Sequence, residues 1–204
     1  MKKYELTTET KKVEDVTLYR IKALRTFGNV KKGDLGGWIE KEDNLSHYNN
    51  CWVYENAWVF GNARVYENAR VSGDGVVSGS VRVSGNAIVS DTAGVSDNAE
   101  VSGNVEVYNS ARVFGNARVS DNVKVYENAW VYENAQVYDN ARVSGDAEVF
   151  DDAKVYDNAS VYGNAQVFEK AQVYENAKVY EKAQVYDYAK VCGDGIVSGD
   201  AKVK

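Results

Sequence analysis

The chain has 204 residues, with no proline, one methionine and one histidine, and its 30 acidic and 24 basic residues give a net charge of −6. This charge disfavours nucleic acid as a partner. No apolar run approaches the ~20 residues of a membrane helix, and Lys2 and Lys3 are followed by polar sequence rather than a signal-peptide core. We therefore expect a cytoplasmic protein that does not bind membranes. Cys51, Cys192 and one histidine cannot form a four-ligand zinc site, so we expect no metal and no cofactor.

The first fifty residues contain two predicted strands. Residues 4–6 and 16–21 are rich in aromatic, aliphatic and β-branched residues and flank a polar turn, a pattern typical of a β-hairpin. Further along, Ile39 and Leu45 outline an irregular first coil, with an insertion before Val53. Because a solenoid needs its open core covered, residues 1–50 are predicted to be an N-terminal capping segment.

From residue 51 onward the sequence repeats every six residues. Every sixth residue from Val53 to Val203, 26 positions in all, is valine, and the residue two before it is alanine at 20 of them. The first four positions of a unit alternate inward and outward as a short strand, and the last two form a turn. Asparagine is common at the sixth position, where we expect it to take the left-handed backbone conformation.

Stacking explains how such short strands bury their apolar sides. Three strands per turn of 18 residues close a prism filled by Val and Ala, and backbone groups pair with the coils above and below. Residues 51–204 are thus predicted to form an all-β parallel solenoid of about nine coils, ~40 Å long at ~4.8 Å per coil.

Repeat units such as residues 59–63, VFGNA, resemble the hexapeptide repeats of left-handed parallel β-helix proteins, which include the LpxA-like acyltransferases and the γ-class carbonic anhydrases. The resemblance covers residues 51–204. It implies a single-stranded left-handed β-helix, whereas parallel crossovers in general are right-handed.

A second resemblance lies in the opening segment. The run LRTFGNVKKGDLGGWIE (residues 24–40), followed by NLS and CWVYENA, resembles the start of a group of bacterial and prophage-associated hexapeptide-repeat solenoids, some of which are labelled transferases. This resemblance implies a capped left-handed β-helix and places no catalytic residue. Fold alone does not fix function.

His47 is the one candidate for a catalytic imidazole base. Acyltransferases of the similar architecture use a histidine together with projecting loops and a C-terminal helix, and the sequence shows neither. We therefore favour a polar turn residue in the cap. The γ-class carbonic anhydrases require three metal-binding histidines, which excludes that activity.

Outward residues 18 apart stack on one of three faces. All four phenylalanines of the repeat fall on one of them, which we call the Phe face, and a long aromatic patch usually marks an interaction surface. We predict that this face mediates homo-oligomerisation; the alternative is that its rings only stack along the rod. The face comprises Trp58, Phe60, Phe114, Trp130, Tyr132, Phe150, Phe168 and Tyr186.

Another face, which we call the basic face, interleaves cations with tyrosines and is a candidate ligand surface. Such a pattern suits an acidic polysaccharide or a nucleic-acid backbone. The alternative is that its cations are solvated and paired with carboxylates at the corners. The residues are Arg64, Tyr66, Arg82, Arg118, Tyr138, Lys154, Tyr156, Tyr174 and Lys190.

These features predict a non-catalytic structural or interaction scaffold that self-associates through the Phe face. One alternative is a hexapeptide-repeat, acyl-CoA-dependent acyltransferase. A second is a binder of acidic polysaccharide or of a nucleic-acid-associated protein partner. The sequence carries no signature of the partner's identity.

Overall fold

The computed structural model describes residues 2–204 and confirms the predicted all-β parallel solenoid. Three longer strands come first, β1 (Tyr4–Val13), β2 (Val16–Ala23) and β3 (Leu35–Ile39), followed by a 3-10 turn at Glu42–Asn44. The solenoid strands run from β4 (Trp52–Val53) to β29 (Lys202–Val203), and each comprises one repeat valine and the residue before it.

Successive coils lie in strict register. Each solenoid strand pairs in parallel with the strand 18 residues further on, as Trp58 does with Val76 and Val59 with Val77. The strands form three sheets, which correspond to the three faces. The twelve-stranded sheet carries the Phe face. The eight-stranded sheet from β6 (Arg64–Val65) to β27 (Lys190–Val191) carries the basic face, and the nine-stranded sheet from β4 to β28 (Ile196–Val197) forms the third side.

The core is a set of rows rather than a cluster around one centre. The repeat valines from Val53 to Val185 and the small residues preceding them are almost fully buried. Cys51 lies in this core and Cys192 is exposed. Since burial of one valine side chain contributes roughly 1.5–3 kcal/mol, the rows supply the main stabilisation of each coil.

The expectation that the asparagine at the sixth position takes the left-handed backbone conformation is wrong. The left-handed residue is the fifth of each unit, as at Glu55 (φ 53°) and Glu67 (φ 59°), one position before the asparagine. It is the first central residue of a turn that the Ala57 N–H closes by donating to the Tyr54 carbonyl at 3.0 Å. The asparagines instead form amide columns between coils, with Asn86 Nδ2 donating to Asn104 Oδ1 at 2.9 Å.

Carboxylates at the left-handed position hold one corner to the next. Glu67 Oε2 accepts the N–H of Gly85 at 2.6 Å, a donor that finds no backbone carbonyl in the described chain. A left-handed L-residue costs ~1–2 kcal/mol, and a hydrogen bond to a charged group contributes ~1.5–3 kcal/mol, so the bond offsets the strain. The same bond recurs at Glu55, Asp91, Asp97, Asp121, Glu127, Glu133, Asp139, Asp151, Asp157, Glu169, Glu175 and Glu181.

The N-terminal segment extends the Phe-face sheet. Strands β1 and β2 form an antiparallel hairpin, β2 pairs antiparallel with β3, and β3 pairs in parallel with β5 (Trp58–Val59). Gly36 and Gly37 allow this approach, because a Cβ at Gly37 would lie 2.6 Å from the Ala57 carbonyl oxygen. The boundary at residue 50 and the left hand of the solenoid stay predictions.

Replacement of Glu127 tests the corner bond. Glu127→Ala removes the carboxylate that accepts the Gly145 N–H while keeping a side chain at φ 61°, so we expect a loss of about 1–2 kcal/mol in the free energy of unfolding. Glu127→Gly also relieves the left-handed strain and should lose clearly less. Urea unfolding of both variants measures this. Equal losses would contradict the proposed compensation.

Replacement of Gly37 tests the attachment of the cap. Gly37→Ala places its Cβ 2.6 Å from the Ala57 carbonyl oxygen, and we expect a loss of roughly 1–3 kcal/mol through the forced shift of β3. The matched control is Gly94→Ala, where the nearest atom, Arg112 Nη1, is 3.7 Å away. Unfolding curves and limited proteolysis of the first fifty residues should show a less stable cap in Gly37→Ala than in Gly94→Ala. Identical behaviour of the two variants would contradict the close-approach explanation.

Candidate functional site

The Phe face carries an uninterrupted ladder of five rings. Consecutive ring centroids from Phe114 to Tyr186 are 4.9, 5.0, 5.0 and 5.2 Å apart, and no two neighbouring planes differ by more than 8°. The register of the coils causes this, because it places residues 18 apart directly above one another. The ladder contains Phe114, Tyr132, Phe150, Phe168 and Tyr186.

Trp130 projects beside the ladder and next to a hollow. Its indole is 43% exposed and contacts the rings of Phe114 and Tyr132 edge-on, at 6.0 and 6.4 Å between centroids. On the cap side of Phe114 the aromatic row holds the serines Ser78 and Ser96, and the hollow left there measures about 540 Å³. Its lining includes Ser78, Gly94 and Arg112.

The other two members of the predicted face lie apart from the ladder. Trp58 and Phe60 are separated from Phe114 by two coils that carry serine at the aromatic position. The ammonium of Lys11, from the hairpin, lies 4.5 Å from the Trp58 ring centroid and partly covers it. The structure therefore divides the predicted face into a short segment at the cap and a long segment from Phe114 to Tyr186.

Tyr132 is the one ladder hydroxyl with a carboxylate partner in the described chain. Its hydroxyl donates to Glu148 Oε2 at 2.9 Å. Burial, followed by this hydrogen bond, raises the pKa of Tyr132, so the phenol stays protonated and neutral through the physiological range.

Shorter ladders occur on the other two faces. Tyr138, Tyr156 and Tyr174 stack at 4.9 and 5.0 Å on the basic face, and Tyr162 stacks on Tyr180 at 4.9 Å on the third. Ring stacking is therefore a general stabilising feature of this solenoid. What distinguishes the Phe face is the length of its ladder and the exposed indole beside it.

The basic face is only partly neutralised. Glu100 lies between Arg82 and Arg118, with shortest N···O distances of 3.6 and 3.8 Å, and such exposed pairs contribute little. This partner is a strand residue rather than a corner carboxylate. Within residues 2–204 no carboxylate lies within ion-pair distance of Arg64, Lys154 or Lys190.

His47 joins the N-terminal strand to the first coil. Its ring stacks on Tyr4 at 4.3 Å, its Nδ1 accepts the Lys3 N–H at 3.2 Å, and its Nε2 lies 3.6 Å from Glu42 Oε2. These contacts are typical of a structural histidine. Beneath it, Lys3 is fully buried, and its Nζ donates to the Cys51 carbonyl at 2.7 Å.

Sequence reasoning missed that His47 lies beside the basic face. Leu45 pairs with Val65 as an isolated bridge, which brings residues 46–48 next to Arg64 and Tyr66. They border one groove of about 530 Å³. The position of Leu45 in the irregular first coil was the signal for this juxtaposition. Because of the insertion before Val53, the sequence repeat alone did not show which residue Leu45 pairs with.

The described residues hold no group of three metal-ligating side chains, and none of their helices has the length and apolar character needed to cross a membrane.

Comparison with protein families supports the fold. A family model of the YdcK beta solenoid repeat matches residues 57–73, 63–79, 111–127 and 135–149. The chain is similar to this repeat over those segments, which all lie in the solenoid. A search of curated proteins found no match. The resemblance to LpxA-like hexapeptide repeats stays a prediction.

Filling a gap in a ladder tests whether ring stacking stabilises the solenoid. Ser144 interrupts the row between Tyr126 and Tyr162, and a hollow of about 320 Å³ lies beside it. We expect Ser144→Tyr to gain about 1 kcal/mol in the free energy of unfolding, since each stacked pair contributes ~0.5–1.5 kcal/mol. Urea unfolding beside Ser144→Ala measures the gain, and a tyrosine variant no more stable than the alanine variant would refute it.

Proposed function

We propose that this protein is a non-catalytic scaffold that self-associates side by side through the Phe face. The carrying observation is the five-ring ladder from Phe114 to Tyr186 with the exposed Trp130 at its side. Aromatic residues and arginine are enriched at the centres of protein interfaces, and contiguous exposed apolar patches are uncommon on monomers.

The projecting Trp130 side chain and the hollow beside it suit a contact between two copies related by a two-fold axis. Trp130 and Gly94 are 36 residues, or two coils, apart on the same sheet. Strand β11 (Gly94–Val95) pairs with β14 (Arg112–Val113), which pairs with β17 (Trp130–Val131). A two-fold axis across the face would bring each indole to its partner's hollow. There the Arg112 guanidinium can stack on the incoming ring.

The wider proposal includes a cytoplasmic location and a left-handed solenoid of bacterial or prophage origin. These rest on the sequence pattern and its resemblances. An acyltransferase would bind acetyl-CoA, and binding measured by calorimetry would favour that alternative over the scaffold.

Binding of an acidic polysaccharide along the basic face is a second candidate function. The observation that favours it is the stacked series Tyr138, Tyr156 and Tyr174 beside the ammonium groups of Lys154 and Lys190, which have no carboxylate within ion-pair distance in residues 2–204. Rings and cations in alternation suit sugar rings that carry carboxylates.

Sedimentation tests the self-association. We expect the native chain to sediment above its monomer mass of 22.6 kDa at micromolar concentration, and Trp130→Glu to shift it to the monomer by placing a charge in an apolar contact. Gln136→Glu, on the next strand of the same coil but on the basic face, is the matched control and should not change the mass. A native chain that stays monomeric at high concentration would rule out the proposal.

A further inference from the structure

We propose that the junction between the cap and the solenoid is a binding groove for an acidic oligosaccharide, a chain of sugar rings that carries widely spaced carboxylates. The inference deepens the polysaccharide-binding candidate above by giving it one defined place. It does not depend on self-association, which involves a different sheet.

The groove is built by the meeting of the cap with the first strands of the basic face. Leu45 and Val65 form its apolar floor, where they pair across the junction. Residues 46–48 form one wall, and the outward side chains Arg64, Tyr66 and Arg82 form the other. The opening is shallow and wide, a shape suited to an extended chain rather than to an enclosed small molecule.

Two tyrosines offer unstacked ring surfaces to the groove. Tyr48 is 80% exposed, although its backbone is fixed because its N–H donates to Ser46 Oγ at 3.1 Å. The next residue in the row of Tyr66 is Ser84, so no ring stacks on it as rings do on Tyr156. Rigid aromatic surfaces with a polar tip pack against the apolar faces of ring-shaped ligands.

Basic side chains lie on both sides of Tyr48, and two of them, Arg64 and Arg25, have no carboxylate within ion-pair distance in residues 2–204. Arg64 and Arg82 are directly opposite each other in paired strands, where like charges repel. On the other side, a hollow of about 430 Å³ is lined by Lys2, Arg25, His47 and Tyr48. Of the buried side-chain polar atoms in residues 2–204, Arg25 Nε and His47 Nε2 are the two without a hydrogen-bond partner.

The carboxylates near the groove neutralise only part of this charge. Glu42 lies within ion-pair distance of Lys2 and His47, and Glu100 lies within that distance of Arg82, which leaves Arg64 and Arg25. Glu42 already accepts a hydrogen bond from Lys2, which lowers the pKa of the Glu42 carboxyl and keeps it ionised. Residues 1–50 carry 10 basic and 8 acidic residues, a net +2 in a chain of net charge −6. A bound carboxylate would relieve the repulsion between Arg64 and Arg82.

The same carboxylates favour sugar hydroxyls over phosphates. Glu42 and Asp43 line the groove beside the arginines. Carboxylates accept hydrogen bonds from hydroxyl groups, whereas they repel the closely spaced charges of a nucleic acid. The mixture therefore suits a ligand rich in hydroxyls that carries a negative charge only on some rings.

Titration calorimetry with defined oligosaccharides tests the groove. The acidic probes are a hyaluronan tetrasaccharide and trigalacturonate, and the comparison probes are neutral chitotetraose and the oligonucleotide dT4. We expect at least one acidic probe to bind, and Tyr48→Ala and Arg64→Ala each to weaken it by about tenfold or more, as loss of a stacking or charge-assisted contact does. Tyr162→Ala and Lys178→Ala, on the third side of the solenoid, are the matched controls and should bind like the native chain. Tyr156→Ala and Lys154→Ala test the alternative place for the ligand, further along the basic face.

The outcomes separate this inference from the broader proposal. Weakening by Lys154→Ala and Tyr156→Ala alone would keep polysaccharide binding on the basic face and overturn the groove. If neither acidic probe binds more tightly than chitotetraose, both the groove and polysaccharide binding on the basic face are overturned. If dT4 binds more tightly than the acidic probes, the choice of a sugar as the ligand is overturned. Unfolding midpoints of Tyr48→Ala and Arg64→Ala should match the native chain, because both side chains are exposed; a matching midpoint with unchanged affinity also overturns the groove.

Discussion

The strict register of 18 residues between coils is the constraint on which the whole structure depends. It is maintained by backbone hydrogen bonds from each coil to the next, such as Trp58 N–H to the Gly75 carbonyl at 2.9 Å and Phe60 N–H to the Val77 carbonyl at 3.0 Å. A shift of one residue would turn the repeat valines outward, because side chains alternate along a strand. An insertion within a strand would therefore disrupt the core, and the register forces the outward residues into columns.

Those columns account for most of the ionisable and aromatic residues of the solenoid. Corner carboxylates accept the free N–H of the next left-handed residue, asparagine amides bond to each other, and tyrosines stack. A carboxylate used in this way carries no implication of catalysis or metal binding. Function is therefore best sought where the columns break, at the serine-lined hollow beside Trp130 and at the junction of the cap with the first coils.

The sequence was sufficient to predict what the register alone determines. The valine rows and the three faces follow from counting in sixes. The left-handed position was predicted wrongly because propensity considers asparagine alone, whereas the partner that stabilises Glu67 lies 18 residues away at Gly85. The groove was missed for a related reason, since Tyr48 and Arg64 come together only when Leu45 pairs with Val65 across an irregular coil.

The positions of the two proposed surfaces bear on how they would work together. The ladder from Phe114 to Tyr186 lies on the twelve-stranded sheet, while Arg64 and Arg82 lie on the eight-stranded sheet near the cap. Coverage of Trp58 by Lys11 leaves the segment from Phe114 to Tyr186 as the aromatic surface that a second copy would contact. Association through that segment would leave each proposed groove open, so an oligomer would present several grooves to one chain of sugars. Multivalency would then raise the overall affinity above that of a single groove, by roughly 10²–10⁴-fold in typical linked systems, without any new contact.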